Sequence, residues 1–154
     1  MALTIGQKAP AFSLPATGGG PVDLDRLRGR KAVIYFYPKD DTSGCTREAQ
    51  EFQALKPEFA AADTEIIGVS ADPLASHEKF QTKYGLDLTL ASDEDRSMLE
   101  AYGVWVEKSM YGKKYMGIER TTLLIDRDGT VAQVWPSVKV PGHAQEVLEA
   151  AKAL

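Results

Sequence analysis

The 154-residue sequence predicts an α/β fold in which helices cover both faces of a central mixed sheet. Two apolar runs, 31–38 and 64–72, have the composition of buried strands. Each run is followed by a segment whose apolar residues recur at helical spacing. In the segment 120–135, two β-rich runs flank "DRDG", which is the pattern of a hairpin. Strands and helices in this order are typical of α/β sheets.

Local signals place each element along the chain. In the helix after the first strand, Ala49, Phe52 and Leu55 have helical spacing, and Pro57 predicts a kink or an end. Aspartate followed by glycine suits a hairpin turn that needs positive φ. In chain order we predict a helical turn that ends at Gly29, a strand over 31–38 stopped by Pro38, the helix from Cys45, a strand over 64–72, a helix that ends at Gly85, a short strand over 86–93, a helix over 95–103, an extended segment over 104–108, the hairpin over 120–135, and a last helix with Pro141 at its start.

Composition excludes several classes of protein. A chain of 154 residues that is 44% hydrophobic has enough apolar material for a core, so we expect one domain over residues 1–154. The formal net charge of −4 gives no basic footprint, so we expect no nucleic-acid partner. No apolar run approaches the ~20 residues that span a bilayer, so we expect no membrane partner. Residues 1–12 also lack the basic and apolar parts of a signal peptide.

The chain has one cysteine and two histidines. One cysteine excludes an intramolecular disulfide, and it makes a cytoplasmic setting the default expectation. His77 and His143 lie in predicted helices and have no ligand spacing with Cys45, so we interpret both as surface histidines. We therefore expect neither a metal nor a cofactor.

Cys45 lies where the first predicted strand gives way to a helix. A free thiol is only a few per cent ionised at neutral pH, but the unpaired N–H groups and the dipole of a helix N-terminus favour the thiolate. The dipole alone contributes ~0.3–2 kcal/mol, so strong activation needs a cation as well. The candidate cations are Lys39, Arg47 and Arg120, of which the first two are more simply explained as solvated charges. The alternative, that Cys45 is a small buried hydrophobe, is disfavoured by the polar residues on both sides of it.

The segment around this cysteine resembles the active site of the peroxiredoxins. "YPKDDTSGCTREAQEF" is similar to the peroxiredoxin Q branch, also called bacterioferritin comigratory protein, and it has the family spacing of Pro38, Thr42 and Cys45. "ERTTLLIDRDG" resembles the second family block, which contains Arg120. Similarity at 5–19 and at 141–148 extends the resemblance over essentially the whole chain.

The resemblance implies a thioredoxin-like fold and the reduction of hydroperoxides. It implies that Cys45 is the thiolate that attacks the O–O bond, and that Thr42 provides a hydrogen bond beside the sulfur. It further implies that Arg120 holds the thiolate charge and binds the peroxide oxygens, that Pro38 shields the sulfur, and that Glu48 orients the arginine. Fixed donors of this kind stabilise the charge that develops on the departing oxygen.

Four of these residues also have ordinary structural alternatives. Thr42 would be a turn residue or helix cap, Arg120 a cation at a strand edge, Glu48 a solvated helix residue, and Pro38 a strand terminator. Their joint spacing, rather than any one of them, favours the catalytic interpretation.

The sequence departs from the family pattern at Gln50. Many members of the branch have a second cysteine there, five residues after the first, whereas this chain has "CTREAQ". A sulfenic acid formed at Cys45 therefore has no partner within the chain, and an external thiol must reduce it. Thioredoxin and glutathione with glutaredoxin are both candidates for this reductant. We expect a monomer rather than a dimer.

Three other functions remain open at this stage. A thiol–disulfide reductase is disfavoured because the chain lacks Cys-x-x-Cys. A redox-sensing interaction module would use oxidation of Cys45 without efficient turnover. A cysteine hydrolase would need His77 or His143 as its base.

Overall fold

The computed structural model describes residues 3–154, and these residues form nine strands and five helices. The one-domain prediction begins at residue 1, and residues 1–2 lie outside the described part. The elements are β1 (Ser13–Leu14), β2 (Val22–Asp23), α1 (Leu24–Leu27), β3 (Lys31–Phe36), α2 (Ser43–Ala61), β4 (Thr64–Ser70), α3 (Leu74–Tyr84), β5 (Thr89–Ser92), α4 (Ser97–Ala101), β6 (Trp105–Met110), β7 (Lys113–Ile118), β8 (Thr121–Ile125), β9 (Val131–Trp135) and α5 (His143–Ala153).

A five-stranded mixed sheet in the order β5-β4-β3-β8-β9 forms the centre of the fold. The strand β3 pairs in parallel with β4 and antiparallel with β8, and β4 pairs in parallel with β5. The strands β8 and β9 form the antiparallel hairpin that the sequence predicts. All of β3 is buried, which explains its continuous apolar sequence. The predicted α/β class with a mixed sheet is confirmed.

Helices cover both faces of this sheet, as predicted. Successive side chains of a strand point to opposite faces, and the residues of β3 accordingly divide between two apolar cores. Ile34 and Phe36 pack with residues of α1 and α4 on one face. Val33 and Tyr35 pack with residues of α2, α3 and α5 on the other. The helix that carries Cys45 therefore lies against the second face of the sheet.

Of the kink or end predicted at Pro57, the end is wrong, because α2 continues to Ala61. A proline inside a helix loses one backbone hydrogen bond and costs ~3 kcal/mol or more. Phe52 and Phe59, which lie on either side of it in sequence, are fully buried, and their burial offsets this cost. At the other end of the chain, Pro141 lies just outside α5, since Gly142 is the N-cap residue of that helix.

Two small antiparallel pairs, β1–β2 and β6–β7, complete the strands. The sequence predicted only part of one of them, the extended segment over 104–108 that overlaps β6. Strand β7 has the sequence "KKYMGI", which lacks the alternation of apolar and polar residues that identifies a half-buried strand. Its two-residue turn has positive φ at both Tyr111 and Gly112, as favoured hairpin turns do, but tyrosine is an atypical residue for the first of these positions. Backbone pairing with β6, rather than burial of a regular face, defines this strand.

We expect Gly68→Ala to destabilise the protein by about 1–3 kcal/mol, through overpacking of the second core. A Cβ atom at Gly68 would lie 2.7 Å from Cζ of Tyr35 and 2.9 Å from Cδ2 of Leu90. The Tyr35 ring cannot withdraw freely, because it stacks on Phe52 with a centroid distance of 4.8 Å. Urea unfolding measures the difference.

Gly20→Ala is the matched control for this substitution. A Cβ atom at Gly20 meets nothing within 4 Å, and the backbone there is not left-handed. Its stability should stay within about 0.5 kcal/mol of the parent. Equal stability of the two variants would contradict the packing that we describe around Gly68.

Candidate active site

Cys45 lies in the first turn of α2, as predicted, just after the loop that follows the carboxyl end of β3. This edge of an α/β sheet is where strands end and helices begin, and sites commonly form there. The side chain is only 1% exposed and belongs to the second apolar core. The alternative of a buried small residue is therefore correct as to burial, but the sulfur also has a charged neighbour.

That neighbour is the guanidinium of Arg120, which follows β7 and directly precedes β8. Its Nη2 donates to Sγ of Cys45 at 3.3 Å, and its Nη1 donates to Oε1 of Glu48 at 2.6 Å. The other two candidate cations are solvent-exposed, and Arg47 pairs with Glu51 at 2.8 Å. Arg120 is thus the cation that contacts the sulfur.

The close approach of Arg120 depends on Gly44. A Cβ atom at position 44 would lie 3.2 Å from Nη2 of Arg120, which is tighter than an ordinary contact. The absence of a side chain there leaves room for the guanidinium beside the first turn of α2.

Burial and ion pairing oppose each other at Glu48. The side chain is 2% exposed, so the solvated alternative for this residue is wrong. Burial raises the pKa of Glu48 to about 7, although the charge and hydrogen bond of Arg120 pull it down. Burial opposes the charge of Arg120 as well, but the charges of Glu48 and Cys45 raise the pKa of Arg120, so it remains a cation.

Thr42 and Pro38 lie in the loop before the helix, and both are solvent-exposed. Thr42 is the N-cap residue of α2, and its hydroxyl donates to the carbonyl oxygen of Lys39 at 2.9 Å. Its own carbonyl accepts from the backbone N–H of Thr46. Thr42 therefore has the position of the helix cap that was its alternative, while its side chain stabilises the preceding turn.

The interpretation of both histidines as surface residues is wrong. His77 is 0% exposed, and His143 is also buried. Nε2 of His143 lies 2.8 Å from the hydroxyl of Thr122, and burial lowers the pKa of His143. The hydrogen-bond partners described for both rings are groups other than Cys45, which removes the support for a cysteine hydrolase.

Two residues at this site were missed at the level of sequence. Asp40 is buried in the loop before α2, and it bonds to His77 of α3. Neither residue is one of the spaced positions Pro38, Thr42 and Cys45, and the two are 37 residues apart in sequence. An aspartate can accept a hydrogen bond and a histidine can donate one, but the sequence does not show that these two residues are neighbours in the fold.

No helix within residues 3–154 is both long enough and apolar enough to cross a membrane.

Comparison with known proteins gives consistent matches. Residues 5–134 match the AhpC/TSA family. The chain is 49% identical over 148 residues to a putative peroxiredoxin Bcp of Coxiella burnetii, with 96% of this chain and 98% of that protein covered. It is 45% identical to peroxiredoxin Bcp of Bacillus subtilis, with 99% and 97% covered.

Solved structures agree with these relatives. The bacterioferritin comigratory protein of Xanthomonas campestris, studied for its alkyl peroxide reduction activity, superimposes with a TM-score of 0.91 at 45% identity, with 97% and 98% of the two chains covered. A mutant of PrxQ from Xylella fastidiosa superimposes with a TM-score of 0.93 at 38% identity, with 99% and 98% covered. The thioredoxin-like fold that the resemblance implied is therefore confirmed.

The raised pKa of Glu48 gives a pH-dependent stability. The folded protein keeps a proton there up to about pH 7, whereas the unfolded chain releases it from 4.5 upward. The stability from this proton is complete below pH 4.5 and is lost as the pH rises through 7. We expect Glu48→Gln to lack this loss, so its stability relative to the parent should rise by roughly 3 kcal/mol between pH 4.5 and 8.

Urea unfolding of both proteins across this range measures the difference. His143 contributes with the opposite sign, because its lowered pKa makes stability fall as the pH drops below 6.5. That contribution is present in both proteins and cancels in the comparison. Parallel curves of stability against pH would show that Glu48 does not titrate as we infer.

Proposed function

The chain belongs to the AhpC/TSA family, and from this membership we propose which of its residues carry out the chemistry. It is a peroxiredoxin of the Bcp and PrxQ branch, and thus a thiol-dependent peroxidase. We propose that Cys45 is its peroxidatic thiol. The observation that carries this assignment is the 3.3 Å contact between Nη2 of Arg120 and Sγ of Cys45 at the first turn of α2.

The first half-reaction uses the thiolate of Cys45 and a hydroperoxide. The sulfur attacks the terminal peroxide oxygen, so an S–O bond forms as the O–O bond breaks. The electron pair of the O–O bond stays with the departing oxygen, which takes up a proton and leaves as an alcohol or as water. The peroxide is reduced, and Cys45 is oxidised to a sulfenic acid. We propose hydrogen peroxide and organic hydroperoxides as substrates, since a relative was studied for alkyl peroxide reduction.

Arg120 acts on the charge that moves during this step. Its guanidinium faces the sulfur of Cys45 in the resting protein, and its remaining N–H groups would serve as donors to the departing oxygen. Because the group is held in place by Glu48 and by the space at Gly44, it needs little reorganisation as the charge develops. Glu48 thus positions Arg120 and does not itself touch the substrate.

Thr42 and Pro38 would form the entrance to the sulfur. The Thr42 hydroxyl bonds to Lys39 at rest, and rotation about χ1 would turn it toward a bound peroxide. Pro38 offers no N–H group at this entrance, and its ring covers the approach to the thiol. Both residues are exposed, as the rim of a small site should be.

The second half-reaction requires a thiol from outside the chain. Gln50 is exposed on α2, and it stands where the family pattern described above has a second cysteine in many members. The external thiol attacks the sulfur of the sulfenic acid, a mixed disulfide forms, and water leaves. A second thiol then attacks the mixed disulfide and releases Cys45 as a thiolate. Peroxiredoxins take these electrons from thiols such as thioredoxin, and glutathione with glutaredoxin is the alternative that we retain.

We propose that the protein acts as a monomer in the cytoplasm. Cys45, Arg120 and Glu48 all come from one chain, so the site is complete without a partner subunit. The single thiol supports the reducing compartment, and the net charge of −4 supports a function without nucleic acid. One domain is sufficient for this activity.

We expect the parent to consume many equivalents of hydrogen peroxide when a thiol is supplied, and Cys45→Ser to consume none, because serine has no comparable nucleophile. A panel of thioredoxin, glutathione with glutaredoxin, and dithiothreitol identifies the reductant. Mass spectrometry of the parent after one equivalent of peroxide should show one added oxygen at Cys45. Stoichiometric oxidation without turnover for every thiol would instead favour the redox-sensing module.

We expect Arg120→Met to slow the reaction of Cys45 with hydrogen peroxide by at least ~10-fold, which corresponds to ~1.4 kcal/mol of transition-state stabilisation. Methionine retains much of the side-chain volume and removes the charge. Arg47→Met is the matched control, because Arg47 is exposed on α2, the helix that carries Cys45, and pairs with Glu51. Stopped-flow fluorescence or competition for peroxide gives the rate constants. Equal rates for the two variants would remove Arg120 from the reaction.

A further inference from the structure

A buried hydrogen-bond network lies beside the loop that joins β3 to α2, and the proposed chemistry does not use it. Its centre is the carboxylate of Asp40. Oδ1 accepts from the hydroxyl of Tyr37 at 2.6 Å. Oδ2 accepts from the hydroxyl of Ser76 at 2.8 Å and lies 2.7 Å from Nδ1 of His77. Asp40 and His77 are both buried, so each contact is formed away from solvent.

The geometry fixes one hydrogen atom on His77. Its Nε2 lies 3.0 Å from the carbonyl oxygen of Ala91, which can only accept, so Nε2 carries a hydrogen. Burial raises the pKa of Asp40, but hydrogen bonds from His77 and Tyr37 outweigh it and hold that pKa below its usual range. The 2.7 Å contact between Nδ1 and Oδ2 of Asp40 is the second hydrogen bond of the ring. His77 therefore connects β5 to the loop through two hydrogen bonds.

This network holds the loop 38–42, which contains a residue with a strained backbone conformation. Asp41 adopts φ of 59°, in the left-handed region that costs a non-glycine residue about 1 kcal/mol or more. The backbone N–H of Asp40 donates to Oδ2 of Asp72 at 2.9 Å. On the outer side, Lys83 and Tyr84 of α3 bond to the carboxylate of Asp41. The loop keeps its conformation because both of its aspartates are attached to neighbouring elements.

The same side chains also lie close enough to one another for a metal site, but in this structure they bond to protein groups. The possible ligand atoms of Asp40, Asp72 and His77 lie within 4.8 Å of one another. Each of these side chains, however, already bonds to protein groups, including the carbonyl of Ala91 and the hydroxyl of Ser70. The cluster is therefore a network of donors and acceptors.

We propose that the hydrogen bond between His77 and Asp40 is a positioning contact for the peroxidase reaction: it holds the loop 38–42 so that Pro38 and Thr42 keep their places at the entrance to the sulfur, while the contact of Cys45 with Arg120 does not depend on it. Asp40 lies between Pro38 and Thr42, so a shift of its carboxylate moves both sides of the entrance. This inference rests on the proposed function of Cys45. His77 acts through the loop and does not touch the substrate.

Three substitutions at His77 separate its two hydrogen bonds. His77→Asn places an amide near the position of Nδ1 and keeps a donor for Asp40, while the contact to Ala91 is lost. His77→Gln extends an amide toward the position of Nε2 and keeps the contact to Ala91, while the donor to Asp40 is lost. His77→Leu removes both. The first two variants are matched, because each replaces the ring with a flexible amide and retains one hydrogen bond.

Two rate constants are measured for each variant. The reaction with hydrogen peroxide depends on aligned donors around the departing oxygen, so it is sensitive to the position of the loop. Alkylation of Cys45 by iodoacetamide depends on the thiolate and its access, so it is less sensitive to that alignment. Circular dichroism and urea unfolding show that the compared proteins are folded under the assay conditions.

We expect His77→Asn to stay within about 3-fold of the parent in the reaction with peroxide, and His77→Gln and His77→Leu to be slower by about 10-fold to 100-fold. Alkylation rates should stay within about 2-fold of the parent in every folded variant, since the contact of Cys45 with Arg120 is retained. A slower reaction with peroxide together with an unchanged alkylation rate would identify a misplaced loop, and not a loss of the thiolate, as the cause.

Equal peroxide rates for the Asn and Gln variants would overturn the proposal, and so would a parallel loss of peroxide and alkylation rates. If substitutions at His77 prevent folding, Asp40→Asn provides the second variant, because it keeps the shape of the side chain and removes the charged acceptor. We expect it to show the same selective loss of the peroxide rate, and an unchanged rate would also overturn the proposal. Failure of the proposed function would give a different result, because the parent and Cys45→Ser would then consume peroxide equally.

Discussion

The contact of Arg120 with both Cys45 and Glu48 constrains the rest of the structure. A buried charge is tolerated only when it is paired, so the three groups must meet even though Arg120 and Cys45 are 75 residues apart in sequence. The antiparallel pairing of β3 with β8 makes this possible, because it sets Phe36 opposite Thr121. The chain leaves β3 at Phe36 and turns into α2, and Arg120 immediately precedes Thr121. One register of one strand pair therefore brings the guanidinium to the thiol.

The sequence was informative where the signal is local or where a motif is specific. The burial of β3, the hairpin β8–β9 and the place of Cys45 at a helix start all follow from composition, turn residues and spacing. The meeting of Arg120 with Cys45 does not follow from any periodicity, and it was anticipated only because the two segments resemble family blocks.

Sequence reasoning failed where a residue's environment is set by a distant partner. The side chain of His77 is polar and lies on an amphipathic helix, so nothing local distinguishes an exposed histidine from a buried one. Asp40, on a loop far away in sequence, supplies the acceptor that makes burial of His77 possible. The continuation of α2 beyond Pro57 has the same kind of cause, since the burial of flanking phenylalanines is a property of the assembled core.

The lack of a side chain at Gly44 affects which positions of α2 can accept a substitution. A side chain at Gly44 would lie 3.2 Å from Nη2 of Arg120 and displace the guanidinium beside the thiol. Gln50, on the same helix, is exposed, and a change there meets solvent. In the cycle proposed here, the residues that contact the sulfur are therefore restricted by packing, whereas position 50, where a second thiol would serve the reductive half, is not. The two halves of the proposed cycle are in this way subject to different physical constraints within one helix.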